Sequence, residues 1–167
     1  MEGLMTFDEL KKRYTAINVI DAEYSAGNGQ RPTPVCICCH ELISGVQYKV
    51  WTYGKAEKIQ PPWSDGKDVL TVCFYAPAEC GFYISMGWKL PNKILDLFSA
   101  YSWFANGKSM RTGGRSLLAA MSSFGLNAIE AGEKESWRNM IIGLDWEEDD
   151  IPGIMGYCME DVTATGK

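Results

Sequence analysis

The stretch "NVIDAEYSAG", residues 18–27, decides how this chain is read. Ile17, Val19 and Ile20 make an apolar run that leads directly into two carboxylates, Asp21 and Glu23. On a strand, residues i and i+2 share a face, so Asp21 and Glu23 converge while Ala22 turns the other way. Charged side chains are seldom fully buried unless they are paired or bound to a metal. Two readings are open: a strand end where the chain emerges into water, or a carboxylate pair aimed at one point.

The neighbouring segments give that strand a setting. "FDELKKRY" (7–14) is a short amphipathic helical stretch ahead of a first strand, "TAINVIDAEY" (15–24). "PVCICCHEL" (34–42) and "QYKVWTY" (47–53) alternate as second and third strands, joined by the turn-rich "SAGNGQRPTP" and "ELISGVQ". "VLTVCFY" (69–75) is continuously apolar, as expected of a strand covered on both faces. A helix, "APAECGFYISMGW" (76–88), and a short fifth strand, "NKILDLF" (92–98), follow. Helices are then expected in "LDLFSAYSWFAN", "RSLLAAMSSFGL", "EKESWRNMIIGL" and "DDIPGIMGYCMEDVTAT". A three-strand meander, then helix and strand in alternation, then helices, predicts an α/β sheet flanked by helices.

Composition narrows the function classes. A length of 167 residues suits one domain, 1–167, with a proper core. A net charge of −5 argues against a stand-alone protein that grips nucleic acid by a broad basic face, though not against a site where metal ions neutralise acids locally. No apolar run approaches the ~20 residues of a membrane span, and "MEGLMTFDELKKRY" is unlike a secretion signal. Six cysteines without such a signal favour free thiols in a reducing, cytoplasmic interior.

Two further acidic positions stand out. Asp96 lies in an apolar run, between Ile94, Leu95, Leu97 and Phe98, and needs a partner or a purpose there. In "GYCMED", Tyr157 and Asp161 are four apart and share a helix face, while Glu160 turns toward solvent. Pro152 fits a helix only in its first turn, with Asp149 or Asp150 as cap.

The order D-x-E, a middle Asp and Y-x-x-x-D resembles the signature of DEDD 3′–5′ exonucleases, tyrosine subclass. That family includes the proofreading domains of family A DNA polymerases and RNase D-type enzymes. The likeness is nearest to exonuclease domains of phage-type DNA polymerases. It rests on "IDAEYSAGNGQRPTPVCI", "LPNKILDLF", "SLLAAMSSFGL" followed by Lys134, and "YCMEDV", from about residue 16 onward. The resemblance implies an RNase H-like fold, a five-stranded mixed sheet with strand two antiparallel. It implies Mg2+ or Mn2+, two ions, held by Asp21, Glu23, Asp96 and Asp161. Asp21 would bridge both ions, Glu23 and Asp161 would complete the one beside the attacking water, and Asp96 would hold the second through water. Tyr157 would orient the water. The subclass with His in place of that tyrosine does not fit, because the single histidine, His40, precedes Asp96. The expected substrate is a single-stranded DNA 3′ end, with RNA as the RNase D-like alternative and a non-catalytic binding module as the other. A neighbouring polymerase domain and a bacterial or phage-infected cytoplasm are implied.

Expected strand contacts are Tyr24, Ser25, Lys108, Arg111, Arg115 and Lys134. For the basic cluster of Lys108, Arg111 and Arg115, a phosphate-binding patch and surface scatter are equal readings. Lys134 is either a phosphate contact or a solvated helix lysine. Cys36, Cys38, Cys39 and His40 have no second ligand couple for zinc and read as core packing. Trp103 and Trp137, in helical patterns, also read as core.

Overall fold

The protein, as a computed structural model, is described over residues 6–27, 29–55, 59–107, 114–126 and 131–167, the side chains of 131–134 excepted. Helix α1 (Phe7–Arg13) opens on a reciprocal cap between Thr6 and Glu9. Strands β1 (Ala16–Ser25), β2 (Thr33–Glu41) and β3 (Gln47–Trp51) form the expected antiparallel meander. Strands β4 (Val69–Cys73) and β5 (Ile94–Asp96) add in parallel on the other side of β1, giving the order β3-β2-β1-β4-β5. Helices α2 (Ala76–Ser85), α3 (Leu97–Ala105), α4 (Leu117–Ser123), α5 (Ala131–Gly143) and α6 (Ile151–Thr165) complete the chain. The result is an α/β fold with a five-stranded mixed sheet flanked by helices.

Both faces of the sheet are covered, which explains the unbroken burial of Val35–Cys39 and Val69–Cys73. On one face Ile17, Val19, Cys36 and Cys38 pack with Ile154, Cys158 and Val162 of α6. On the other, Ile20, Ala22, Ile37 and Cys39 pack with Phe82 and Tyr83 of α2 and with Trp63 and Trp88. The cysteines of "CICCH" are core residues and free thiols.

Three local outcomes differ from expectation. Strand β5 ends at Asp96, because the Asp96 carboxylate accepts from the amides of Phe98 and Ser99 and so starts α3 at once. Helix α6 does begin with Pro152 in its first turn, but no side chain caps it. Asp150 instead turns back to accept from Glu147 N at 2.9 Å, closing a 3-10 turn over Glu148–Asp150. Trp103 is 82% exposed. It sits two residues from Tyr101, the one buried residue of α3, and so falls on the opposite side of that helix. Trp137 packs partly buried against the core beneath α6, where a Cβ on Gly153 would run into its ring. No helix among the described residues is long and apolar enough to cross a membrane.

One buried acid anchors the turn between β2 and β3. Glu41 Oε1 accepts from the amides of Ile17 and Ile43, both at 2.9 Å, and Oε2 from Ser44 N at 2.7 Å. Burial raises the Glu41 pKa, but the bonds from Ser44, Ile17 and Ile43 outweigh it and hold the group below its ordinary value. A depressed carboxylate pKa stabilises the fold above the unfolded value and loses that contribution as pH falls through the folded one. Glu41→Ala, which strips partners from three amides, is expected to cost roughly 2–4 kcal/mol. In urea unfolding, the deficit of Glu41→Gln against wild type should be largest above the ordinary glutamate value of 4.5 and shrink below it. A deficit that does not change with pH would remove the ionised carboxylate from this account.

Candidate metal centre and cleft

Strand β4 pairs with β1 only from Ala16 to Val19, whereas β1 runs on to Ser25. The half of β1 that carries Asp21 and Glu23 therefore extends beyond its parallel neighbour. In the register, Asp21 lies opposite Cys38 and Glu23 opposite Cys36, so both carboxylates share the α6 face of the sheet. The pairing slips between Glu23 and Tyr24, a bulge of the kind that re-aims side chains at functional edges.

Helix α6 brings its own pair to the same place. The Cys158 thiol donates to the Asp21 carbonyl at 3.2 Å, fixing the helix against the strand at that residue. Tyr157, the preceding residue, then faces the carboxylates. Burial and, after it, the charges of Glu23, Asp161 and Asp21 push the Tyr157 phenol above its usual range, with Arg138 pulling weakly the other way. Four of the five residues expected to act together, Asp21, Glu23, Tyr157 and Asp161, thus meet at one locus, and Glu160 is exposed as expected. Tyr157 and Asp161 also line a cleft of about 630 Å3, walled by Ser116, Met121, Arg138 and Asn139.

The donor set suits a hard divalent cation. Oxygens of Asp21 and Glu23 and the Cys158 sulfur all lie within 4.8 Å of one another. Burial keeps the Cys158 thiol protonated, and it is already bonded to the strand, so the two carboxylates are the groups here that could hold a cation. Mg2+ and Mn2+ favour such oxygens over sulfur.

Asp96 is placed differently. Its Oδ1 accepts from Tyr75 N at 3.1 Å, Phe98 N at 3.0 Å and Ser99 N at 3.4 Å, and its Oδ2 from Ser99 Oγ at 2.8 Å. The apolar run around it is explained by this cap, which joins the end of β5 to the starts of α2 and α3.

Glu79, in the first turns of α2, lies in the segment expected as a helix and is not singled out by the sequence reading. It is 5% exposed, beside Cys73, and its Oε2 has no hydrogen-bond partner among the described residues. Burial, then the charge of Asp21, push its pKa up to about 9, with a smaller contribution from Asp96. The available sequence signal was spacing: Glu79, Phe82 and Tyr83 are i, i+3 and i+4, which puts the acid on the buried face.

The expected strand contacts divide. Tyr24 is half-buried near the acids; burial and then Glu79 and Glu23 raise its pKa. Ser25 Oγ donates to Ile142 O at 2.6 Å and so ties β1 to α5. Arg115 is exposed beside Ser116, the cap of α4. Lys108, Arg111 and the Lys134 side chain lie outside the described residues.

Comparisons with protein-family models, with curated proteins and with solved structures give no match.

The thiols beneath the centre carry a prediction. Cys36, Cys38, Cys39, Cys73 and Cys158 are buried with raised pKa values, so all five stay protonated and shielded at pH 8. Titration of the native protein with a chromogenic disulfide reagent should modify no thiol quickly except the partly exposed Cys80, and all six after unfolding. Several fast-reacting thiols in the native state would contradict this packing.

Proposed function

We propose that this chain is a metal-dependent 3′–5′ exonuclease domain with an RNase H-like fold. It would act on single-stranded DNA 3′ ends, release nucleoside 5′-monophosphates, and serve as a proofreading module beside a polymerase domain. The observation that carries the reading is the Tyr157 hydroxyl set among the carboxylates of Glu23, Asp161 and Asp21 at the mouth of a cleft. The strand order, with β2 antiparallel and α6 across β1 and β2, supports the fold assignment.

Two divalent ions, when bound, supply activation of the attacking water and stabilisation of charge on the leaving 3′ oxygen. Asp21, Glu23 and Asp161 are the residues that would hold them on the α6 side. Tyr157 stays a neutral phenol at physiological pH, because burial and three carboxylates oppose its ionisation. A neutral hydroxyl among acids can hydrogen-bond a water and hold its orientation without competing for the cation. Arg138, on the cleft wall, places a fixed positive charge where a phosphate of the strand would lie. The net charge of −5 limits counterion release on binding, so the isolated domain should hold DNA weakly and cleave distributively, with a neighbouring polymerase supplying most of the grip.

The test is Mg2+-dependent shortening of 5′-labelled single-stranded oligonucleotides, DNA beside RNA. Asp21→Ala should abolish shortening while the fold survives. Tyr157→Phe, which removes one hydroxyl and keeps the ring, should slow single-turnover cleavage by ~10²-fold and leave metal affinity largely intact. Full activity of Asp21→Ala would end the exonuclease reading, and faster cleavage of RNA than of DNA would replace it with an RNase D-like one.

A further inference from the structure

Helix α3 buries only Tyr101, yet it carries two more aromatic rings, Trp103 and Phe104, on its exposed sides. Phe124, where α4 ends, is exposed as well, and its ring lies 5.2 Å from that of Phe104, inclined by 35°. Trp103, Phe104 and Phe124 border an apolar groove of about 690 Å3 between α3, α4 and the end of α6. Soluble proteins seldom leave a contiguous apolar surface of this kind without a use for it.

The position of the groove says what it fits. It shares Leu117, Met121 and Ala164 with the cleft lined by Tyr157 and Asp161, so the two hollows form one continuous trough. Tyr157, Asp161 and Ala164 follow one side of α6. A helix rises about 1.5 Å per residue, which puts Ala164 ~10 Å from Tyr157 along the axis. Stacked bases are ~3.4 Å apart along a strand, so the groove begins about three nucleotides from the Tyr157 hydroxyl. Its charge also favours a polyanion. The chain carries 21 Asp and Glu, yet none is among the described residues that line the groove, whose one charged side chain is Lys167. Arg115, next to Ser116 of the cleft wall, and Arg138 on that wall add positive charge along the trough. Aromatic rings beside cations hold single strands whatever their sequence, because every base offers a face to stack.

We infer that the groove of Trp103, Phe104 and Phe124 is a subsite in which bases of a single strand stack, some three nucleotides upstream of the bond cut beside Tyr157. The inference rests on the exonuclease reading for where the strand ends. It adds how a strand is held by a chain that lacks a broad basic face.

Fluorescence anisotropy of 5′-labelled thymidine oligonucleotides, at low salt and without divalent cation, reads binding apart from cleavage. Wild type should hold an octanucleotide more tightly than a dinucleotide, which ends short of the groove. Trp103→Ala and Phe124→Ala should each weaken octanucleotide binding about tenfold and leave the dinucleotide unaffected. Both rings are exposed, so neither change empties a core position. Trp103→Phe keeps a stacking face and should retain most of the affinity. The quench of tryptophan fluorescence that the octanucleotide causes in wild type should be largely lost in that variant. Circular dichroism establishes that each variant is folded. Unchanged octanucleotide affinity in both alanine variants, with wild type still shortening DNA, would overturn the subsite and leave the exonuclease reading standing. A wild-type dimer that Trp103→Ala dissociates, seen by sedimentation equilibrium, would give this face to a second copy of the chain and overturn the subsite too. A wild-type chain that neither binds the octanucleotide nor shortens DNA would overturn both.

Discussion

Helix α6 can lie across β1 because Ile154, Cys158 and Val162, spaced four apart, form one fully buried column that meets Ile17, Val19, Cys36 and Cys38. Each large side chain buried in that way contributes about 1.5–3 kcal/mol. The Cys158 bond to the Asp21 carbonyl sets the helix along the strand. Tyr157 and Asp161 form the adjoining column, one residue back from Cys158 and Val162, so once the apolar column is seated their approach to Asp21 and Glu23 follows. The acids do not bring the elements together; the packing does so against their repulsion.

That repulsion is substantial. Two carboxylates whose oxygens lie within 4.8 Å of one another repel by about 3–4 kcal/mol at the effective dielectric of a protein surface. Asp161 adds its charge at the same locus, where it acts on Tyr157 together with Glu23 and Asp21. A divalent cation reverses the sign of each of these terms at once. On the proposed reading, a bound divalent cation is what offsets this repulsion.

The strands were legible because their signals are local. Alternation in β2 and β3, the apolar run of β4 and the turn residues between them mark the elements within a residue or two. Asp21 and Glu23 were legible because a strand has a period of two, and Tyr157 with Asp161 because a helix returns every four residues. Asp96 and Glu79 were less so, for opposite reasons. Asp96 stood out as a charge in an apolar run, yet the run spans a strand end and a helix start, and an acid at such a junction is a cap. Glu79 looked ordinary, since an acid in the first turns of a helix is favoured by the helix dipole and usually faces water. Only the tertiary fact that β4 ends before β1 gives it a buried neighbour. Trp103 shows the same limit: a tryptophan in a helical pattern reads as core until the helix is known to bury a single residue, Tyr101.

The corner that links the two acids is itself under strain. Tyr75, the residue before α2, has φ 100 and ψ 69, a conformation that costs a non-glycine residue on the order of 1–3 kcal/mol. Its amide is held by Asp96 Oδ1, and its ring stands edge-on to Phe98 at 5.2 Å, so two contacts from the start of α3 hold the strained geometry. Relaxing Tyr75 would re-aim the first turn of α2, and with it Glu79. Asp96 thus acts through the backbone: one carboxylate starts α3 and holds the corner from which α2, the helix of Glu79, departs.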